Sequence, residues 1–111
     1  MNPKALELQA RTQTFAAQVI EFCEALPKES ACQQIVEQLT DAAGAIDSNY
    51  RATCRARSPD EFIAKIGVAA EEADESKGWL ELLVRSRFAT MENVERDCHD
   101  LCAVLLREVG D

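Results

Sequence analysis

The sequence predicts an all-α fold, an up-down-up-down antiparallel four-helix bundle, and three observations carry that prediction. Apolar residues recur at alternating spacings of three and four through four segments, the signature of one helical face. Leu, Ala, Glu, Gln and Arg, all good helix formers, dominate the composition. Only three Pro and four Gly stand among 111 residues, too little turn chemistry for an all-β domain.

The first helix is expected over about residues 4–26. Leu8, Thr12, Phe15, Val19, Phe22 and Leu26 fall on one face, and Pro27 closes the segment because the residue before a proline avoids helical geometry. A second helix is expected over about 28–56, on Cys32, Ile35, Leu39, Ala42, Ile46, Tyr50 and Thr53. Arg51, Arg55 and Arg57 crowd its end, where positive charge suits the helix dipole. Asp47-Ser48-Asn49 is its weak spot, because those side chains compete for backbone hydrogen bonds. Ser58-Pro59-Asp60-Glu61 is the clearest start signal: an N-cap, a proline in the first turn and a capping-box glutamate. Phe62, Ile66, Ala69, Ala73, Leu80 and Leu83 continue that third helix to about residue 87. Thr90 caps a fourth, carrying Met91, Val94, Cys98, Leu101, Leu105 and Val109. Short connections between such helices imply antiparallel neighbours. Gly44, Gly67 and Gly78 fall inside helices, where each costs about 1 kcal/mol relative to alanine; a close approach of a neighbouring backbone is the expected reason.

One domain spanning 1–111 is expected at this length. Twenty acidic residues face twelve basic ones, a net charge of −8. That field repels phosphate and anionic membranes, which disfavours nucleic-acid and membrane partners as a class. Five cysteines, an odd count, lie in helical patterns behind an N-terminus too charged for a secretory leader. Buried thiols in a reducing cytoplasm are the expectation.

A helix in an isolated bundle needs one apolar stripe. Here the third helix carries a second, formed by Val68, Glu72, Glu75, Trp79 and Leu82. The first helix adds Ala16, Ile20 and Cys23, and the fourth Val104 and Leu106. Two apolar faces on a small domain point to a protein–protein surface with Trp79 as anchor. Antiparallel register sets Glu72 level with Ala43 and Arg11, which makes Arg11 or Arg107 the expected partner of a half-buried carboxylate.

The central stretch then resembles a known family. Gln38-Leu39, Ala42-Ala43, Ile46, Asn49, Arg57-Ser58, Glu61-Phe62-Ile63, Glu72, Asp74-Glu75 and Trp79-Leu80-Glu81-Leu82-Leu83 are similar to the run that marks the four-helix-bundle proteins associated with intervening sequences of bacterial 23S rRNA genes. That family includes accessory proteins of diversity-generating retroelements. The resemblance covers about residues 6–86 and implies a four-helix bundle assembled as a homopentameric ring. It carries over Asn49, Arg57, Glu61 and Glu75 as structural positions. Relatives that bind nucleic acid do so through basic surfaces, from which this acidic chain departs. Tyr50-Arg51-Ala52-Thr53 stands where many relatives have Ala-Glu-Gly.

No catalytic constellation, cofactor or metal site is expected. Cys98 and Cys102 share a helical face while His99 turns about 100° away, leaving two thiols where structural zinc wants four ligands. A single histidine excludes a di-iron carboxylate site built from paired Glu-x-x-His motifs. The expected function is a non-enzymatic, homo-oligomeric scaffold or adaptor using Ile20, Asn49, Arg57, Glu61, Glu72, Glu75, Trp79 and Leu82 as interface or structural positions. The alternative is a nucleic-acid accessory protein, with Tyr50 stacking beside Arg51, Arg55 and Arg57.

Overall fold

The computed structural model describes residues 3–98, and among them every regular element is helical. Helix α1 spans Pro3–Glu24, α2 Ser30–Cys54, α3 Pro59–Arg85 and α4 Met91–Asp97. The expected positions Leu101, Val104, Leu105, Leu106, Arg107 and Val109 lie outside the described residues.

Each helix starts and stops for a local reason. α1 ends in a tightened turn, where the Ala25 and Leu26 amides donate to the Phe22 and Cys23 carbonyls at 3.3 and 3.1 Å. α3 starts on Ser58, whose hydroxyl accepts the Glu61 amide at 3.1 Å, with Pro59 next. Such a cap contributes about 1 kcal/mol. The reciprocal half of the box is replaced by an ion pair, since the Glu61 carboxylate meets Lys65 at 3.4 Å one turn on. Thr90 caps α4 in the same way, accepting from the Asn93 amide at 3.2 Å.

The end of α3 carries no glycine and was placed two residues late by periodicity. Arg87 adopts a left-handed backbone with φ of 65°. Its amide donates to Val84, and that of Phe88 to Leu83, both at 3.0 Å. This is a Schellman ending with arginine at the position glycine normally fills, and Phe88 packs against the core cluster.

α2 is the central helix, packing against both α1 and α3, while α4 touches α1. The predicted core stripe of α1 is buried throughout, and Cys32, Leu39, Ala42, Ile46, Tyr50 and Thr53 are buried on α2. On α3, Ile66, Ala69, Ala73, Leu80 and Leu83 are buried as expected. Ile35 and Val94 are half-buried, and two stripe positions are exposed, Phe62 at 47% and Met91 at 48%. Both lie in the first turn of their helices, where the chain has only begun to enter the bundle.

The weak spot of α2 holds because its polar side chains are satisfied. Ser48 and Asn49 bond the Ala45 carbonyl at 3.3 and 2.8 Å. Asp47 accepts from the buried Thr12 hydroxyl of α1 at 2.9 Å and pairs with Arg51 at 3.3 Å. The Thr12–Asp47 bond therefore ties α1 to α2 midway along the hairpin. Buried Thr53 and Ser76 donate to carbonyls four residues back, each at 2.9 Å. Among the described residues, an added Cβ at Gly44, Gly67 or Gly78 would meet nothing within 4 Å, so none of their backbones approaches these glycines, contrary to the expected close approach.

Candidate interaction face on α3

Wheel geometry sets Val68, Glu72, Glu75, Trp79 and Leu82 along one flank of α3, roughly 115° from the buried stripe at 100° per residue. Burial splits this flank into two kinds of residue. Val68 stays 42% exposed and Leu82 40% exposed. Trp79 is half-buried and, with Ala31, Gln34, Ile35 and Gln38 of α2, lines a shallow cleft of about 370 Å³. Its indole Nε1 is buried and has no hydrogen-bond partner among the described residues. Leaving a buried donor unpaired costs about 1–3 kcal/mol. The ring is thus held in place with its polar atom still lacking an acceptor.

Glu72 is half-buried on the same flank, and Glu75 is exposed. Burial, then the charges of Glu75 and Glu71, hold the Glu72 carboxyl above its ordinary range. No ion pair reaches it among the described residues; the expected Arg11 does not serve. The reason is topological: α1 and α3 each pack chiefly on α2, so the flank of α3 does not face α1. A carboxyl shifted upward binds its proton more tightly folded than unfolded. Stability at this position therefore grows as pH falls into the carboxylate range and is withdrawn as pH rises above it. Glu72→Gln is expected to stabilise the fold at neutral pH and to flatten that dependence, read by urea denaturation at neutral and mildly acidic pH. Equal destabilisation at both pH values would show that Glu72 has a favourable partner.

The remaining positions are dispersed. Ile20 projects from α1 and is 55% exposed. Asn49 is half-buried and bonded to its own helix, and Glu61 is half-buried with Lys65. The arginines do not form one surface. Arg51 is held by Asp47, whereas Arg55 and Arg57 are exposed. Tyr50 is only 5% exposed, so its ring is part of the core and offers no face to a base.

Periodicity gave Ile63 no place on either stripe. Ile63 is 66% exposed beside Phe62 in the first turn of α3. Adjacent helical residues point about 100° apart, so a Phe-Ile pair already signals that both cannot face one core. Phe62 lines a second cleft of about 580 Å³ at this end of the bundle, with Leu8, Tyr50, Arg57 and Pro59. Among the described residues no group of three His, Cys, Asp or Glu could hold a metal. No helix among them is long and apolar enough to cross a membrane.

The family described as 23S rRNA-intervening sequence protein matches residues 4–107. The chain belongs to that family. A solved relative agrees in fold, a crystal structure of a protein of unknown function from the S23 ribosomal protein family of Bacteroides thetaiotaomicron. It is 26% identical, with a TM-score of 0.78 over 94% of this chain and 99% of its own. No curated protein matches the chain. Neither the family description nor that relative names a reaction. In this 23S rRNA-intervening sequence protein, the α3 flank combines exposed Val68 and Leu82 with the half-buried Trp79.

Proposed function

We propose that this chain is a non-enzymatic scaffold or adaptor that works as a ring-forming homo-oligomer, pentameric by family resemblance, with the second flank of α3 as a main contact. The observation that carries this reading is the α3 flank: Val68 and Leu82 remain about two-fifths exposed on either side of Trp79, whose buried indole N–H has no acceptor. Apolar groups in a row around an anchored aromatic are what an interface core requires. A copy that covers this flank removes Val68, Leu82 and the outer part of Trp79 from water, while Nε1 already lies buried within its own chain. Charge supports the same arrangement. Glu75 lies exposed on the flank, and Arg55 and Arg57 are exposed just before the start of α3, so one copy's acid can meet the next copy's arginines. A contact between two different surfaces of this kind repeats around an axis and closes a ring when its rotation permits.

Light scattering after size exclusion tests the reading. The wild type is expected at a multiple of 12.3 kDa, and the double variant Val68→Glu, Leu82→Glu at the single-chain mass with its helical circular dichroism intact. A wild type that runs as a monomer at micromolar concentration would overturn the assembly. The nucleic-acid reading is weaker, because Tyr50 is buried and Arg51 is engaged. It would regain ground only if low-salt RNA or DNA binding were lost on changing Arg55 and Arg57 to Glu.

A further inference from the structure

The cysteines play no part in the proposed interface, yet two of them are placed together. Cys23 stands one residue before the end of α1 and Cys32 two residues after the start of α2, so the hairpin brings them level across the 25–29 connection. Both are buried, 5% and 0% exposed, in the same apolar cluster. The connection is pinned from both sides. The Lys28 ammonium donates to the Glu24 carbonyl at 3.4 Å, and the Gln33 amide Nε2 to the Pro27 carbonyl at 2.9 Å.

We propose that Cys23 and Cys32 are a latent disulfide site, a staple across the α1–α2 hairpin that forms when the surrounding low-molecular-weight thiol pool becomes oxidised. The electrostatics of the site agree with two close sulfurs. Burial first, then Cys32 and Glu24, push the Cys23 thiol up to about 11, and Lys28 opposes them; burial and Glu29 likewise raise Cys32, with Lys28 again opposing. One ammonium acts on both thiols. In the closed fold both therefore stay protonated and unreactive, since the thiolate is the nucleophile. Reaction waits for local opening of the hairpin end, the kind of fluctuation that helix ends and connections undergo most readily.

The chemistry balances with glutathione disulfide as oxidant. One cysteine gives up its proton, and its thiolate attacks a glutathione sulfur. The glutathione S–S bond breaks, one glutathione thiolate leaves, and a mixed disulfide remains. The second cysteine thiolate then attacks the protein sulfur of that mixed disulfide, the Cys23–Cys32 bond forms and the second glutathione leaves. The two protons lost by the protein end on the two glutathione thiols. Two protein thiols and one glutathione disulfide thus become one protein disulfide and two reduced glutathiones.

The full-length protein is equilibrated across a series of reduced-to-oxidised glutathione ratios, quenched with acid, unfolded, alkylated and digested with trypsin. Cleavage after Lys28 separates the two cysteines, so the staple appears as peptide 12–28 joined to peptide 29–51. The expected result is that this linked pair dominates at the oxidising end and disappears on reduction. The stapled protein is expected to melt roughly 5–10 °C above the reduced form. Cys23→Ser and Cys32→Ser should each lose both the linked peptide and the shift. The half-exposed Cys54 reports whether the oxidant is competent. Cys54 glutathionylated while Cys23 and Cys32 remain alkylated throughout would overturn the proposal, as would a linked pair involving Cys54 in place of either. The wild-type peptide map decides the matter without any variant having to fold.

Discussion

Leu39→Ala is expected to cost about 3 kcal/mol of folding stability, within a range of about 2–5. Leu39 is fully buried, 0% exposed, halfway along α2, the helix that packs against both α1 and α3. Truncation there removes three carbons from a site lined from two sides, and helices pinned by their neighbours cannot both collapse into the gap. A small domain holds only about 5–15 kcal/mol in total, so the loss is a large fraction of it. Urea denaturation followed by circular dichroism checks this, and a loss below about 1 kcal/mol would show that α2 is not the central helix. Leu82→Ala is the internal contrast. That side chain is 40% exposed on the outer flank of α3, so its removal should cost well under 1 kcal/mol within a chain while weakening association. The pair separates core from interface.

The opposite sign is expected from glycine. The triple replacement Gly44→Ala, Gly67→Ala, Gly78→Ala should stabilise the fold by about 2–3 kcal/mol and raise the melting temperature by roughly 10 °C. All three lie inside α2 and α3, none has a positive φ, and a new Cβ meets nothing within 4 Å at any of them. The gain comes largely from the unfolded chain, which loses backbone freedom that the helix never uses. Separation along α3 and between helices makes the three increments close to additive. Thermal and urea unfolding of the triple variant measure it. No gain, together with a drop in the scattering mass, would mean that a second chain approaches these positions closely.

Among the described residues nothing explains why a good helix former is absent at these three positions. Expecting backbone crowding at Gly44, Gly67 and Gly78 assumed that a glycine in a helix marks an intrachain contact. The open space around them shows that a residue's type reports a requirement only when the neighbour that imposes it is known.

Much of the candidate face was legible from spacing. Val68, Trp79 and Leu82 declare a second flank because an i, i+3, i+4, i+7 pattern maps onto a cylinder whatever the helix packs against. The state of each group on that flank was not legible. Glu72 was matched to Arg11 by level alone, yet level says nothing about which sides of α1 and α3 face each other. Tyr50 was offered as a stacking ring because it precedes an arginine, although its position on the buried stripe with Ile46 and Thr53 already placed it inside.

Sequence alone determined the all-helical class, the starts at Ser58 and Thr90, and the buried stripes of α1 and α2. Those follow from hydrogen bonds and side-chain periodicity within a few residues of one another. Tertiary structure decided that α2 is central, that the Trp79 indole is buried without an acceptor and that Arg87 can end α3 without glycine. It also brought Cys23 level with Cys32. Each of these depends on where a second segment lies in space, and burial, desolvation and pairing are properties of that placement rather than of any residue's own type.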